Sequence, residues 1–272
     1  MHKIVSTGSL ALALLISALD ANSQQSTPQL YSTALFLKVP IAQESAFIEF
    51  YKTGAGAKVV QARMKADPDM TTWSLRKVAY PGVHAPEANF VIISGGIGAP
   101  KDPDPAKRDS LYRSASGLGY DDYMKKARSL SDLVGQTLTH VHDRTEGYNM
   151  EVGDYSVSTR LKIHDGKLND LSAFMKEFRL PLAAERVKQG QMKGWSYSHL
   201  AFAGGSFDAS ETSFYKDLAS AVQSGGGNSA ASMTRFAKVF PDKDYVRYVN
   251  DRRELATVVK TEVYRVVIAV RK

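Results

Sequence analysis

His199 stands four residues after Trp195, with Tyr197 between them, in the stretch Met192-Lys-Gly-Trp-Ser-Tyr-Ser-His199. Side chains alternate along a β-strand, so Trp195, Tyr197 and His199 share one face. An imidazole of ordinary pKa, near ~6.5, can both take and return a proton at neutral pH. His199 is therefore the candidate acid/base group, Tyr197 its neighbouring hydroxyl and Trp195 an aromatic wall. The same frame occurs earlier as Met70-Thr-Thr-Trp-Ser-Leu-Arg-Lys77, where Trp73 matches Trp195 and Lys77 takes the place of His199. That position is basic in both copies. Lys38, Arg160 and Lys162 add cations on other strand-like runs, a set suited to a carboxylate or to a developing phenolate or enolate. His140 and His142, two apart in Thr-His-Val-His-Asp143, could present two imidazoles to one metal. Two ligands do not make a site, and Glu262 and Tyr264 occupy the matching positions of the second copy.

Other catalytic signatures are missing. Gly225-Gly-Gly227 and Gly117-Leu-Gly119 lack the strand, helix and lysine of a phosphate loop. Gly204-Gly-Ser206 lacks the glycine that follows the serine of a nucleophile elbow. The 272 residues contain no cysteine, which excludes disulfides, thiolate metal sites and a cysteine nucleophile.

The elements that must hold these residues come in two copies. Trp73 and Trp195 lie 122 residues apart, as do Tyr123 and Tyr245, and Leu133 and Leu255. Each copy opens with a β-rich run, Leu30 to Val39 or Asp154 to Ile163, whose Tyr31 and Tyr155 align. One face of these runs is largely apolar (Leu35, Leu37 and Val39; Val157, Leu161 and Ile163) and should pack on helices. The other is mixed (Ser32, Ala34, Phe36 and Lys38; Ser156, Ser158, Arg160 and Lys162). A helix follows, interrupted at Gly54-Ala-Gly56 or at Pro181, then the Trp-Ser strand. Next come a turn at 81–86 or 203–206 and a short third strand from Asn89 to Ser94 or from Thr212 to Tyr215. The connections that follow, Gly95 to Gly119 and Ser224 to Ala231, read as irregular loops. A closing helix and a last strand, Thr137 to Asp143 or Thr261 to Val270, complete each copy.

The order is β-α-β-β-α-β twice, the split βαβ or ferredoxin-like unit. With the Trp-Ser strand and glycine turn, this duplicated order from Tyr31 to Arg271 resembles the dimeric α+β barrel superfamily, in which two such units face their sheets together. The resemblance implies an α+β fold in which one chain supplies both units, residues 24–149 and 150–272. It also implies a range of activities, from cofactor-free monooxygenases and isomerases to haem enzymes and stress-response proteins. Haem-binding relatives use an axial histidine on a helix, and His84, His140, His142, His164 and His199 all fall on expected strands or turns. No cofactor is therefore expected. In such a barrel the face of Trp73 and Lys77, that of Trp195, Tyr197 and His199, and the mixed face of the opening strands are expected to line the interior. Lys38, Lys162 and Arg160 would join them there, with Tyr264 and His142 as further lining, and the cations would meet acids such as Glu262 or an anionic ligand. The alternative is that these strand faces are reversed.

Met1-His-Lys3, an apolar run from Leu10 to Leu19 and Ala21-Asn-Ser23 read as a signal peptide over residues 1–23, with the mature chain beginning near Gln24. A periplasmic or secreted protein is expected, without membrane association after cleavage, as a monomer or homodimer. The net charge is +7, yet the 35 basic residues are scattered among 28 acidic ones, which argues against a nucleic-acid footprint. Two function classes remain. One is a cofactor-independent enzyme, of lyase, isomerase or monooxygenase type, acting on a small aromatic or anionic molecule inside the barrel with His199 and Tyr197 as catalytic groups. The other is a non-catalytic binding or stress-response protein using the same cavity for a small hydrophobic or anionic ligand.

Overall fold

The computed structural model describes residues 29–80, 87–101, 103–202, 205–223 and 230–272. The expected signal peptide, the turn at 81–86 with His84, residues 203–204 and Gly225-Gly-Gly227 lie outside them. The first half runs β1 (Leu30–Lys38), α1 (Glu44–Lys52), α2 (Ala55–Ala66), β2 (Met70–Tyr80), β3 (Phe90–Ile97), α3 (Pro105–Ser116), α4 (Tyr120–Leu130) and β4 (Asp132–Arg144). The second runs β5 (Tyr155–Ile163), α5 (Leu168–Phe174), a π-helical segment (Met175–Arg179) and α6 (Leu180–Lys188). It continues with β6 (Gly194–Leu200), β7 (Ala209–Tyr215), α7 (Leu218–Gln223), α8 (Ala230–Val239), α9 (Tyr245–Leu255) and β8 (Ala256–Arg271).

The eight strands form one closed antiparallel barrel in the order β1-β3-β2-β8-β5-β7-β6-β4. Each half contributes a four-stranded sheet, β4-β1-β3-β2 or β8-β5-β7-β6, and the halves join along two seams, β2 with β8 and β4 with β6. Closure leaves no sheet edge unpaired.

The apolar face of the opening strands packs on helices as expected. Leu37 and Val39 are buried with Phe47 and Val60 in the first half, and Leu161 with Leu171 and Phe174 in the second. The faces of the core strands are the reverse of the expectation. Trp73 and Leu75 belong to the first helix-facing cluster and Trp195 and Tyr197 to the second. The barrel is lined instead by the alternate residues, Ser74 and Arg76 on β2 and Ser196 and Ser198 on β6, beside the mixed face of β1 and β5. The physical reason is area: an indole and a phenol bury far more apolar surface against helices than serines would.

The first expected loop contains a helix, and a helix begins at the end of the second, whose residues 224–229 lie outside the described residues. In the first, Asp104 caps α3 by accepting from the backbone N–H groups of Ala106 and Lys107 at 2.8 and 3.1 Å, Pro105 fills the first turn, and Gly117 ends the helix at φ 77°. In the second, α8 begins at Ala230.

Candidate functional site

The placement of the expected site residues follows from that reversal. Lys77 points to the helices and its Nζ donates to Glu44 on α1 at 2.5 Å. His199 also lies on the helix side, where its Nε2 is 3.2 Å from the Ser172 hydroxyl of α5. Burial, followed by the nearby His142 and His140, pushes its pKa down to about 4, so at neutral pH it is a neutral and weak base. His142 lies next to it, ring centroids 5.2 Å apart, with Nδ1 2.8 Å from Asp143, and His140 packs on Tyr31. These three imidazoles form a cluster on the outside of the barrel wall. Among the described residues no group of three or more histidine and acidic side chains is placed to hold a metal ion. Trp73, Trp195 and Tyr197 are core residues, each with at most 2% of its surface exposed. Lys38 and Lys162 are exposed at strand ends, Lys162 paired with Asp208 at 2.9 Å.

Arg160 and Tyr264 do face the barrel interior, and they meet there. Glu262, buried on β8, accepts from Arg160 Nη2 at 2.9 Å and from the Tyr264 hydroxyl at 2.7 Å, while Lys260 Nζ lies 2.9 Å from its other oxygen. Burial, reinforced by the Glu262 charge, raises the Tyr264 pKa, so its phenol keeps its proton and donates it to the carboxylate. Arg160 is held between the rings of Phe36 and Phe207, 4.8 and 5.1 Å from their centroids. A cavity of about 370 Å³ opens beside this cluster at one end of the barrel.

A larger cavity, about 850 Å³, lies on the other side of the wall, between the outer face of β5, β7 and β8 and helices α6 to α9. Sequence reasoning did not find it. Its lining includes five arginines, Arg179, Arg186, Arg235, Arg252 and Arg253, and one carboxylate, Glu211. Aromatic walls are supplied by Tyr215, Phe236, Tyr245 and Tyr248.

Local structure explains how the guanidinium groups converge. Leu171, Met175, Arg179, Leu182 and Arg186 recur at helical spacing on the stripe facing the sheet, so the two arginines sit where leucines would be expected. Pro181 has no N–H to donate four residues back, and the chain passes this point through the π-helical turn that ends at Arg179. On α9, Asp244 caps the first turn, and Tyr245, Tyr248, Arg252 and Leu255 form the inward stripe.

Glu211 is the hub of the set. It accepts from Trp195 Nε1 at 2.8 Å, from Arg179 Nε at 2.9 Å and also from Arg179 Nη2, and from Arg252 Nη2 at 3.3 Å. Burial alone would push its pKa up, but Arg179 and Arg252 outweigh burial and hold it at about 2. Glu211 is therefore a fixed anion, not a proton carrier. One carboxylate cannot neutralise five cations. Among the described residues Arg186 reaches only the Tyr215 hydroxyl, at 3.2 Å, and its Nε and that of Arg252 are buried without a hydrogen-bond partner. The Arg235 pKa is lowered, first by burial and then by the charges of Arg186 and Arg179.

No protein-family model matches this chain, and no curated protein matches it in sequence. Solved structures match it in fold. A candidate monooxygenase from Lactobacillus acidophilus NCFM superposes with a TM-score of 0.54 at 8% identity, covering 90% of this chain and 96% of its own. A candidate monooxygenase from Fusobacterium nucleatum subsp. nucleatum ATCC 25586 gives 0.56 at 10% identity, with 90% and 95% covered. An anthrone oxidase-like protein gives 0.51 at 12%, with 90% and 94% covered. Identities this low carry the fold and leave the activity to the site. The chain thus has the dimeric α+β barrel fold, with all eight strands supplied by a single polypeptide.

Proposed function

We propose that this protein binds a small anionic molecule with an aromatic or apolar body in the arginine-lined cavity of its second half. The observation that carries this reading is the charge imbalance there: five guanidinium groups and one carboxylate around about 850 Å³ of space. Guanidinium groups crowded in a partly buried site repel one another and are stabilised by an incoming carboxylate, phenolate or enolate. Tyr215, Tyr248 and Phe236 supply flat apolar surface for the body of such a ligand. Among the described residues the lining contains no histidine, and Glu211 is already committed to its arginines, so binding is the function this geometry supports best. A second reading, cofactor-independent turnover of the bound anion, is favoured by the likeness of the fold to structures described as candidate monooxygenases and as anthrone oxidase-like. Arginines that stabilise a phenolate in the ground state would also stabilise the electron-rich form that such chemistry consumes. Export remains part of the proposal, and N-terminal sequencing of the natural product should begin near Gln24.

Titration with a panel of aromatic carboxylates, phenols and their neutral amide or ether counterparts tests the site, with Trp195 fluorescence as reporter because its indole N–H bonds Glu211. Anions should bind and neutral counterparts should not. Arg186→Gln or Arg235→Gln should weaken binding by ~10-fold or more, the scale of one lost charge-assisted hydrogen bond, and His199→Gln should leave it unchanged. Equal binding of neutral and anionic members, or indifference to both arginine variants, would remove the proposal. Oxygen uptake or product formation with a bound phenol separates catalyst from binder.

A further inference from the structure

The cations of the arginine-lined cavity fall into two groups. Glu211 and Tyr215 both line it from β7, four residues and therefore about 13 Å apart along the strand. Arg179 and Arg186, seven residues apart on one helical stripe, span about 10 Å beside them. At the Glu211 end, Arg179 gives Nε and Nη2 to the carboxylate and Nη1 to the Tyr248 hydroxyl at 3.2 Å, and Arg252 adds a second cation to the same carboxylate. The donors of Arg179 are thus spent within the protein.

The Tyr215 end is different. Arg186 Nη2 donates to the Tyr215 hydroxyl, which keeps its own proton to give elsewhere, and among the described residues Arg186 Nε is buried without a partner. Arg235 faces Arg186 from α8. Three residues beyond it Lys238 reaches Glu185, the chain neighbour of Arg186, at 2.6 Å and ties α8 to α6. The charge of Arg186 ranks next after burial in lowering the Arg235 pKa, as two neighbouring guanidinium groups require. Among the described residues no carboxylate pairs with either arginine: Glu211 is held by Arg179 and Arg252, and Glu185 by Lys238 and Gln189. Asp217, just beyond Tyr215, accepts from the Ser220 backbone N–H at 2.7 Å. Two positive charges therefore stand at this end without a negative one. The rings of Phe236 and Tyr248, with centroids 4.8 Å apart, line the same space, and the exposed lining residues Gln223, Ala231, Arg253 and Val258 leave it open to solvent.

We propose that the ligand's charged head sits between Arg186 and Arg235 beside the Tyr215 hydroxyl, and that this head is a phosphate monoester dianion on an aromatic body. The proposal rests on the anion-binding reading above and narrows it to one end of the cavity and one class of ligand. A carboxylate or a sulfate ester carries one negative charge and leaves one of the two cations unbalanced, whereas a phosphate monoester balances both. Its three terminal oxygens match two guanidinium forks and one hydroxyl donor. The aromatic body then lies along Phe236 and Tyr248.

Calorimetric titration of the full chain with phenyl phosphate, phenyl sulfate, anisole and inorganic phosphate tests this. Phenyl sulfate copies the shape of phenyl phosphate with one charge fewer, and anisole has none. At pH 8 phenyl phosphate should bind ~10-fold or more tightly than phenyl sulfate, and that preference should shrink at pH 5, where the phosphate, with a second pKa near ~6, has taken up a proton. Phenyl phosphate should also exceed inorganic phosphate, because only the ester has a ring. Arg186→Gln and Arg235→Gln should each abolish the preference for phosphate over sulfate, while His199→Gln should keep it. Equal binding of phenyl phosphate and phenyl sulfate, with both above anisole, overturns the dianion and leaves the anion-binding reading standing. Binding of no member above anisole overturns both. A preference that survives in both arginine variants overturns the placement of the head, and equal binding of phenyl and inorganic phosphate overturns the aromatic ester. Where the arginine variants fail to fold, the comparison of phenyl phosphate with phenyl sulfate at the two pH values on the wild-type chain decides the class of ligand by itself.

Discussion

At the scale of single residues the decisive group is Glu211, a carboxylate on a strand face otherwise given to the core. In its strand Ala209, Glu211, Ser213 and Tyr215 face the helices, so a lone acid there was a readable signal, as was Arg252 on the apolar stripe of α9. Neither could be connected with Arg179 from sequence, because the partners lie 32 and 41 residues from Glu211 and meet only through the fold. The tryptophan–histidine spacing was equally readable, but its face was not: alternation shows which residues share a side, and only packing says which side is inside. The pH dependence of stability follows from Glu211. Its folded pKa, about 2, lies below the ordinary carboxylate value of 4.5, so the unfolded chain binds the proton more readily. Its contribution is fully present above pH ~4.5, fades as the pH falls toward ~2, and is on the order of a few kcal/mol. Glu211→Gln is expected to lower the melting temperature at pH 7 and to flatten its decline between pH 4.5 and 2. A decline as steep as that of the wild type would show that other groups govern the acid limb.

At the scale of elements, the duplicated order was legible because strand and helix periodicities recur at one offset, whereas helices α3 and α8 were hidden by the glycine, proline and charged residues around them. Asp104-Pro105 was in fact a helix start, and the polar surface of α3 masked its periodicity. The segment joining the halves shows how tightly one element constrains another. The Trp195 backbone N–H donates to the Thr145 side chain at 2.9 Å, and Lys193 bridges Glu151 and Asp154 at 2.8 and 2.7 Å. Tyr148 stacks on Phe214 with centroids 4.2 Å apart. Gly194 makes this possible, since a Cβ there would lie 2.5 Å from the Tyr148 Cβ and 2.6 Å from its Cγ. Gly194→Ala should push Tyr148 off Phe214 and cost ~1–3 kcal/mol, read as a melting temperature several degrees lower. An unchanged melting temperature would mean that the joining segment yields freely and does not fix the halves.

At the scale of the whole molecule, the two halves are alike in strand order but not in what lies beneath their helices. In the first half Phe50, Val59, Tyr112 and Tyr123 close an apolar cluster, and Ile92 stands where the second half has Glu211, judging by the shared registers of Trp73 with Ser94 and Trp195 with Ser213. An apolar cluster lies beneath the helices of the first half and a charged cavity beneath those of the second, while the barrel wall between them depends on both. Its seams join the last strand of one half to a core strand of the other, β8 to β2 and β4 to β6. Separation would expose β2 and β4 on one half and β6 and β8 on the other, four edges with unpaired backbone groups. Residues 24–149 or 150–272 expressed alone should therefore aggregate or self-pair, and expressed together should form a soluble one-to-one complex. That complex should recover anion binding in the second half, because β5, β7 and β8 regain the seam that holds their register. A soluble, monomeric 150–272 fragment that binds anions as tightly as the full chain would show that the cavity needs no barrel.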